Sequence, residues 1–189
     1  MRVLTLAYIL ALGGGLGLAS AHYAVAGRPL IGKVALGAWD VWPGSGSRDI
    51  DPYMRAHLAR GVFLPLGTGE GLELVATRDS TGVALTGRCS YRVTGQTPPA
   101  RGWTLEVTDA AGAGFAGQRA GFSDAEILRR EDGGFDLAAA PSVQAGNWLP
   151  LPRDRSFQLR MRLYDTPLSS QVGETLAETL PRIERASCP

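Results

Sequence analysis

Four stretches of this chain alternate apolar and polar side chains with a period of two, and that pattern limits the folds open to it more than any other feature. Leu72 and Leu74 alternate with Glu73 and Val75. Val83, Leu85, Cys89, Tyr91 and Val93 alternate with Thr86, Arg88, Ser90, Arg92 and Thr94. Trp103, Leu105 and Val107 alternate with Thr104, Glu106 and Thr108, and Phe157, Leu159, Met161 and Leu163 alternate with Gln158, Arg160, Arg162 and Tyr164. Successive side chains of a strand face opposite sides of its sheet, so each run describes a strand with one buried face. Phe135 and Leu137 add a shorter strand after the turn signal Asp132-Gly133-Gly134. Each buried face needs a second sheet, which makes the expected fold all-β with short helices, an antiparallel jelly-roll-like β-sandwich.

Helical signals are few. Asp51 suits a cap, Pro52 the first helical position and Gly61 a stop, predicting a helix over 52–60. Ser123 followed by Glu126 forms a capping-box pattern ahead of Ile127 and Leu128, predicting a second helix of two turns. Between Gly27 and Gly46 the chain is punctuated by Gly and Pro and reads as a short strand and loop.

The N-terminus sets location. Val3 to Ala21 contains no charged residue, and Arg2 precedes it. As a helix that run spans about 28 Å, close to the hydrocarbon thickness of a bilayer. It reads either as an uncleaved anchor, a single N-terminal transmembrane helix, or as a signal peptide cut after the triplet Ala19-Ser20-Ala21. Both readings carry the rest of the chain out of the cytoplasm. The expected organisation is an anchor or signal at 1–26, a juxtamembrane segment with the short helix at 27–62, and the sandwich at 63–189. Gly13 and Gly17 make a G-x-x-x-G pair on the leader, a spacing that common small residues also produce by chance.

Charge and chemistry exclude more than they select. With 19 basic and 18 acidic residues the chain has no electrostatic footprint for nucleic acid. There are two cysteines, Cys89 and Cys188, which in an exported chain either pair as a disulfide or remain free thiols. The histidines, His22 and His57, sit at the membrane boundary and on the short helix, and neither has a nucleophile motif beside it. Two histidines and two separated cysteines give no zinc spacing, and Asp49 with Asp51 lacks the further ligands of a calcium loop. Gly112 to Gly117 spells G-x-G-x-x-G, but Gly121 follows where a dinucleotide turn opens a helix, so it reads as a loop. Asp124, Glu126, Glu131 and Asp132 cluster, and helix-start and turn chemistry explain all four.

The order Thr86-Gly87-Arg88-Cys89-Ser90-Tyr91, Pro99-Ala100-Arg101-Gly102-Trp103-Thr104, Gly146-Asn147-Trp148-Leu149-Pro150 and Arg160-Met161-Arg162-Leu163-Tyr164 resembles bacterial domain-of-unknown-function family 1214 over roughly residues 61 to 188. The chain is similar to the short, membrane-anchored form of alphaproteobacterial type, which lacks the family 1254 half found in two-part secreted relatives. The resemblance implies a jelly-roll-like sandwich outside the cytoplasmic membrane and carries no reaction and no catalytic residues.

The function expected is therefore a non-enzymatic envelope module with no cofactor and no metal, attached to the inner membrane and facing the periplasm, with an envelope protein or glycan as partner. The alternative is a carbohydrate-binding or carbohydrate-active sandwich. Its contact group would be Asn147 and Trp148 in a Pro-rich loop, with Arg160, Arg162 and Tyr164 projecting together from one strand face.

Overall fold

In a computed structural model the chain is described over residues 2–26, 32–60, 64–96, 98–117, 119–170, 172 and 174–188. The apolar leader is one helix, α1 (Arg2–Ala26), long and apolar enough to cross a membrane, and its side chains from Arg2 to Ala24 are all exposed. The chain then enters a hairpin, β1 (Val34–Leu36) and β2 (Trp39–Val41), whose turn is closed by Gly37 at φ 64°. A helix follows at the expected place, α2 (Pro52–Arg60). Asp51 caps it, its Oδ1 accepting the amides of Tyr53 at 3.0 Å and Met54 at 2.9 Å.

Eight further strands follow among the described residues: β3 (Gly71–Ala76), β4 (Ser90–Gly95), β5 (Gly102–Thr108), β6 (Gly121–Ser123), β7 (Phe135–Ala140), β8 (Asn147–Pro150), β9 (Gln158–Tyr164) and β10 (Arg182–Ser187). A 3-10 turn at Pro167–Ser170 and a short helix, α3 (Glu174–Thr179), lie between β9 and β10. The strands form a six-stranded sheet in the order β1-β2-β3-β9-β5-β6 and a four-stranded sheet in the order β10-β4-β7-β8. Every pairing is antiparallel except β7 with β8. The inward faces meet in one core, where the rings of Trp103 on the first sheet and Phe135 on the second lie 5.2 Å apart. This is the sandwich that the alternation implied.

Four details depart from the sequence reading, each for a local reason. The sandwich starts at Val34 and not at residue 63, because β2 pairs with β3 and makes the hairpin part of the first sheet. The run from Val83 to Val93 is not one strand. The Cys89 amide turns back to the Thr86 carbonyl at 3.1 Å, the Tyr91 hydroxyl takes the Thr86 amide at 2.9 Å, and β4 begins only at Ser90. Gly87 belongs to that turn, since a Cβ there would overlap the carbonyl oxygen of Pro152.

The capping box at Ser123 forms without a helix. Glu126 Oε2 accepts the Ser123 amide at 3.2 Å and its hydroxyl at 3.0 Å, yet the segment is the end of β6 and a turn. A helix would need the Leu128 amide on the Asp124 carbonyl. That amide goes instead to Asn147 Oδ1 at 2.8 Å, and the Asp124 carbonyl accepts from Arg129 at 3.3 Å. Finally, Asn147 and Trp148, expected in a loop, lie on strand β8 (Asn147–Pro150).

Candidate functional site

Alternation places Gln158, Arg160, Arg162 and Tyr164 of β9 on the outward face of the first sheet, opposite the inward Leu159, Met161 and Leu163. That face is not open to solvent as the sequence suggested. Arg160 is wholly buried, and α2 with the segment before it lies over the same side, anchored by buried Trp42 and Met54. Between this cover and the sheet is a space of about 20 Å³, lined by Trp42, Met54, His57, Leu58, Pro65 and Glu73. It has room for about one water.

Beneath the cover Glu73 of β3 holds both arginines. The Arg160 guanidinium donates to Glu73 Oε1 at 3.2 Å and Oε2 at 3.3 Å, and Arg162 Nε donates to Oε2 at 3.2 Å. Arg162 also faces Glu106 of β5 at 3.9 Å. Burial pushes the Arg160 guanidinium below its ordinary value despite the attraction of Glu73. Burial opposes the charge on Arg162 too, but there Glu73 prevails and raises it. Two carboxylates and two guanidiniums thus neutralise one another across three strands, which makes the cluster a brace between β3, β9 and β5. Tyr164 ends the row, half-buried, opposite Gly71 and Gly102.

Asn147 and Trp148 lie on the other sheet. Asn147 faces inward and is satisfied: besides the Leu128 amide, its Nδ2 donates to the carbonyls of Leu128 at 2.8 Å and Asp136 at 2.9 Å. Trp148 faces outward, half-buried, and its Nε1 donates to the Ala140 carbonyl at 3.1 Å. The core separates it from the arginines, so Asn147, Trp148, Arg160 and Arg162 do not form one contact group.

Of the four clustered acidic candidates, Asp124, Glu126 and Asp132 have structural partners. Asp124 accepts the Trp103 amide at 3.4 Å, and Asp132 holds Arg130 and the Gly134 amide. Among the described residues no cluster of three or more His, Cys, Asp or Glu could hold a metal. Cys89 and Cys188 form a disulfide that ties the end of β10 to the start of β4. A residue the sequence reading passed over is Asp79, buried after β3. Its carboxylate accepts from Thr81 Oγ1 at 2.6 Å and from the amides of Thr81 and Val83, and pairs with Arg185 at 3.0 Å. Asp79-Ser80-Thr81-Gly82 has the composition of a turn, but the link from Asp79 to β10 spans 106 positions.

The sequence model of the family described as protein of unknown function (DUF1214) matches residues 70–168, a little more than half of the chain. The chain belongs to the DUF1214 family. The match runs from β3 to the turn after β9, so the Glu73 brace, Asn147 and Trp148 all fall inside the DUF1214 region. No curated protein matches the chain.

Among solved structures this DUF1214 protein is similar to the VPA0106 protein from Vibrio parahaemolyticus, with a TM-score of 0.53 and 18% identity over 74% of this chain and 36% of that one. That likeness shows a shared β-rich fold, and the chain spans about a third of the Vibrio protein's length. An uncharacterized protein from Burkholderia cenocepacia gives a TM-score of 0.41 at 19% identity, over 78% of this chain and 47% of that one.

Proposed function

We propose that this protein is a β-sandwich tethered to the outer side of the cytoplasmic membrane, where it serves as an interaction module of the cell envelope. The supporting observation is the joining of two features in one chain: an apolar helix exposed from Arg2 to Ala24 and a domain closed by its own disulfide. Apolar side chains along all of α1 need lipid around them or removal of the helix, and a disulfide persists in an oxidising compartment. The polar clusters described above are engaged with one another, and a module that presents surfaces suits such an arrangement better than a reaction centre.

The experiment is to fuse a compartment-sensitive reporter to the C-terminus, extract membranes at high pH and map thiols under non-reducing conditions. The expected result is a reporter active only outside the cytoplasm, retention in the membrane pellet and a linked Cys89–Cys188 peptide. A reporter active only in the cytosol with both thiols free overturns the reading. Release of the full-length protein into the soluble periplasmic fraction overturns the tether.

A further inference from the structure

Strand register lines up four residues on the outward face of the second sheet: Glu184 of β10 opposite Arg92 of β4, Arg92 opposite Ala138 of β7, and Ala138 opposite Trp148 of β8. Glu184 and Arg92 are exposed, and Ala138 and Trp148 are half-buried. Neighbouring strands lie about 4.8 Å apart, so the row runs about 14 Å from Glu184 to Trp148. Between Arg92 and Trp148 the row presents only the methyl group of Ala138, so the register sets a shallow trough with an indole on one bank and a guanidinium on the other.

The banks differ in kind. The bond from Trp148 Nε1 to the Ala140 carbonyl draws the indole down along the seam between β7 and β8, so the ring is held in one orientation before any ligand arrives. The Arg92 guanidinium has no hydrogen bond or ion pair among the described residues. Arg182, two residues before Glu184, shares the same exposed face, while Arg130 is shared between Asp132 at 3.2 Å and Asp136 at 3.3 Å. Arg92, Arg182 and Arg130 thus balance Glu184, Asp132 and Asp136 around this face, and what marks it is the one guanidinium, Arg92, left unengaged among the described residues.

We propose that this trough binds an acidic saccharide, a chain of uronic-acid type. The apolar C–H face of one sugar ring rests on the Trp148 indole, whose π face is electron-rich, and the carboxylate of the same or the next sugar takes the Arg92 fork. Beyond the guanidinium, Glu184 accepts from a hydroxyl of the following sugar. This names the ligand of the interaction module and rests on that reading, though not on its tether.

The test titrates full-length protein in lipid nanodiscs with trigalacturonate and, separately, with its neutral counterpart galactotriose. Trigalacturonate is expected to bind at least tenfold more tightly than galactotriose. Trp148→Ala and Arg92→Gln are each expected to weaken it at least tenfold, while Arg101→Gln leaves it unchanged. Trp148→Phe keeps an aromatic bank and retains most of the affinity, which separates loss of stacking from loss of fold; circular dichroism checks each variant. Absence of trigalacturonate binding at millimolar concentration, equal binding of the neutral sugar, or unchanged binding in Trp148→Ala or Arg92→Gln overturns the proposal. An exported, tethered protein that ignores the saccharide overturns this inference alone, and a cytosolic protein that binds it overturns the location alone.

Discussion

Glu73 carries more of the structure than its place in an amphipathic strand suggests, because two guanidiniums depend on one carboxylate that is almost out of water. Removing one partner of such a cluster leaves buried charge uncompensated, so Glu73→Ala is expected to lower unfolding free energy by about 3 kcal/mol, measured by urea denaturation. Glu106→Ala, on the more exposed 3.9 Å contact to Arg162, is expected to cost less than about 1 kcal/mol. Asp79 makes a pH-dependent contribution. Burial alone would raise its pKa, but the hydrogen bonds from Thr81 and Val83 and the charge of Arg185 hold it below the ordinary 3.8. A carboxyl group depressed by folding stabilises above its unfolded value and loses that stabilisation as pH falls through the folded one. Stability is therefore expected to decline below about pH 4, and Asp79→Asn to flatten that decline in acid titrations followed by circular dichroism. None of this was legible from residue type. Arg160 could be placed on the outward face by period alone, but its burial depends on α2, which lies a hundred residues earlier and whose packing leaves no mark on β9.

Elements were legible where their signal is local. Asp51 and Pro52 determine the start of α2 because cap and first turn involve neighbours, and β3, β5, β7 and β9 show themselves through one-faced burial. The box at Ser123 shows the limit of such reasoning: its hydrogen bonds form, but the backbone groups that would continue a helix are claimed by Asn147 and Arg129. Strand β10 was invisible because Ile183 is its one buried residue, so it has no alternating pattern to find. Its attachment comes from pairing with β4, from Asp79 and Ser80, and from the disulfide. Opening a loop of this length by Cys188→Ser is expected to cost about 2–5 kcal/mol, read as a lower urea midpoint that matches the reduced wild-type protein.

At the scale of the whole molecule, the sandwich and its leader could be read from periodicity and hydrophobicity, whereas the outward row on the second sheet could not. Arg92, Ala138 and Trp148 lie far apart in the chain, and only register makes them neighbours. The separation of surfaces follows from the same topology: α2 covers one outer face of the sandwich, whereas on the other, among the described residues, Arg92 and Glu184 are exposed and Trp148 is half-buried. The disulfide also gives the domain a mechanical polarity. A pull between the leader and the C-terminal end would load the β1–β2 hairpin and peel the sheet from its N-terminal edge. Because the bridge joins residues 89 and 188, the chain between them forms a closed ring that cannot lengthen. Only the stretch from β1 to Cys89 can pay out, about 200 Å at full extension, leaving the remainder as a covalent knot at the end of the line.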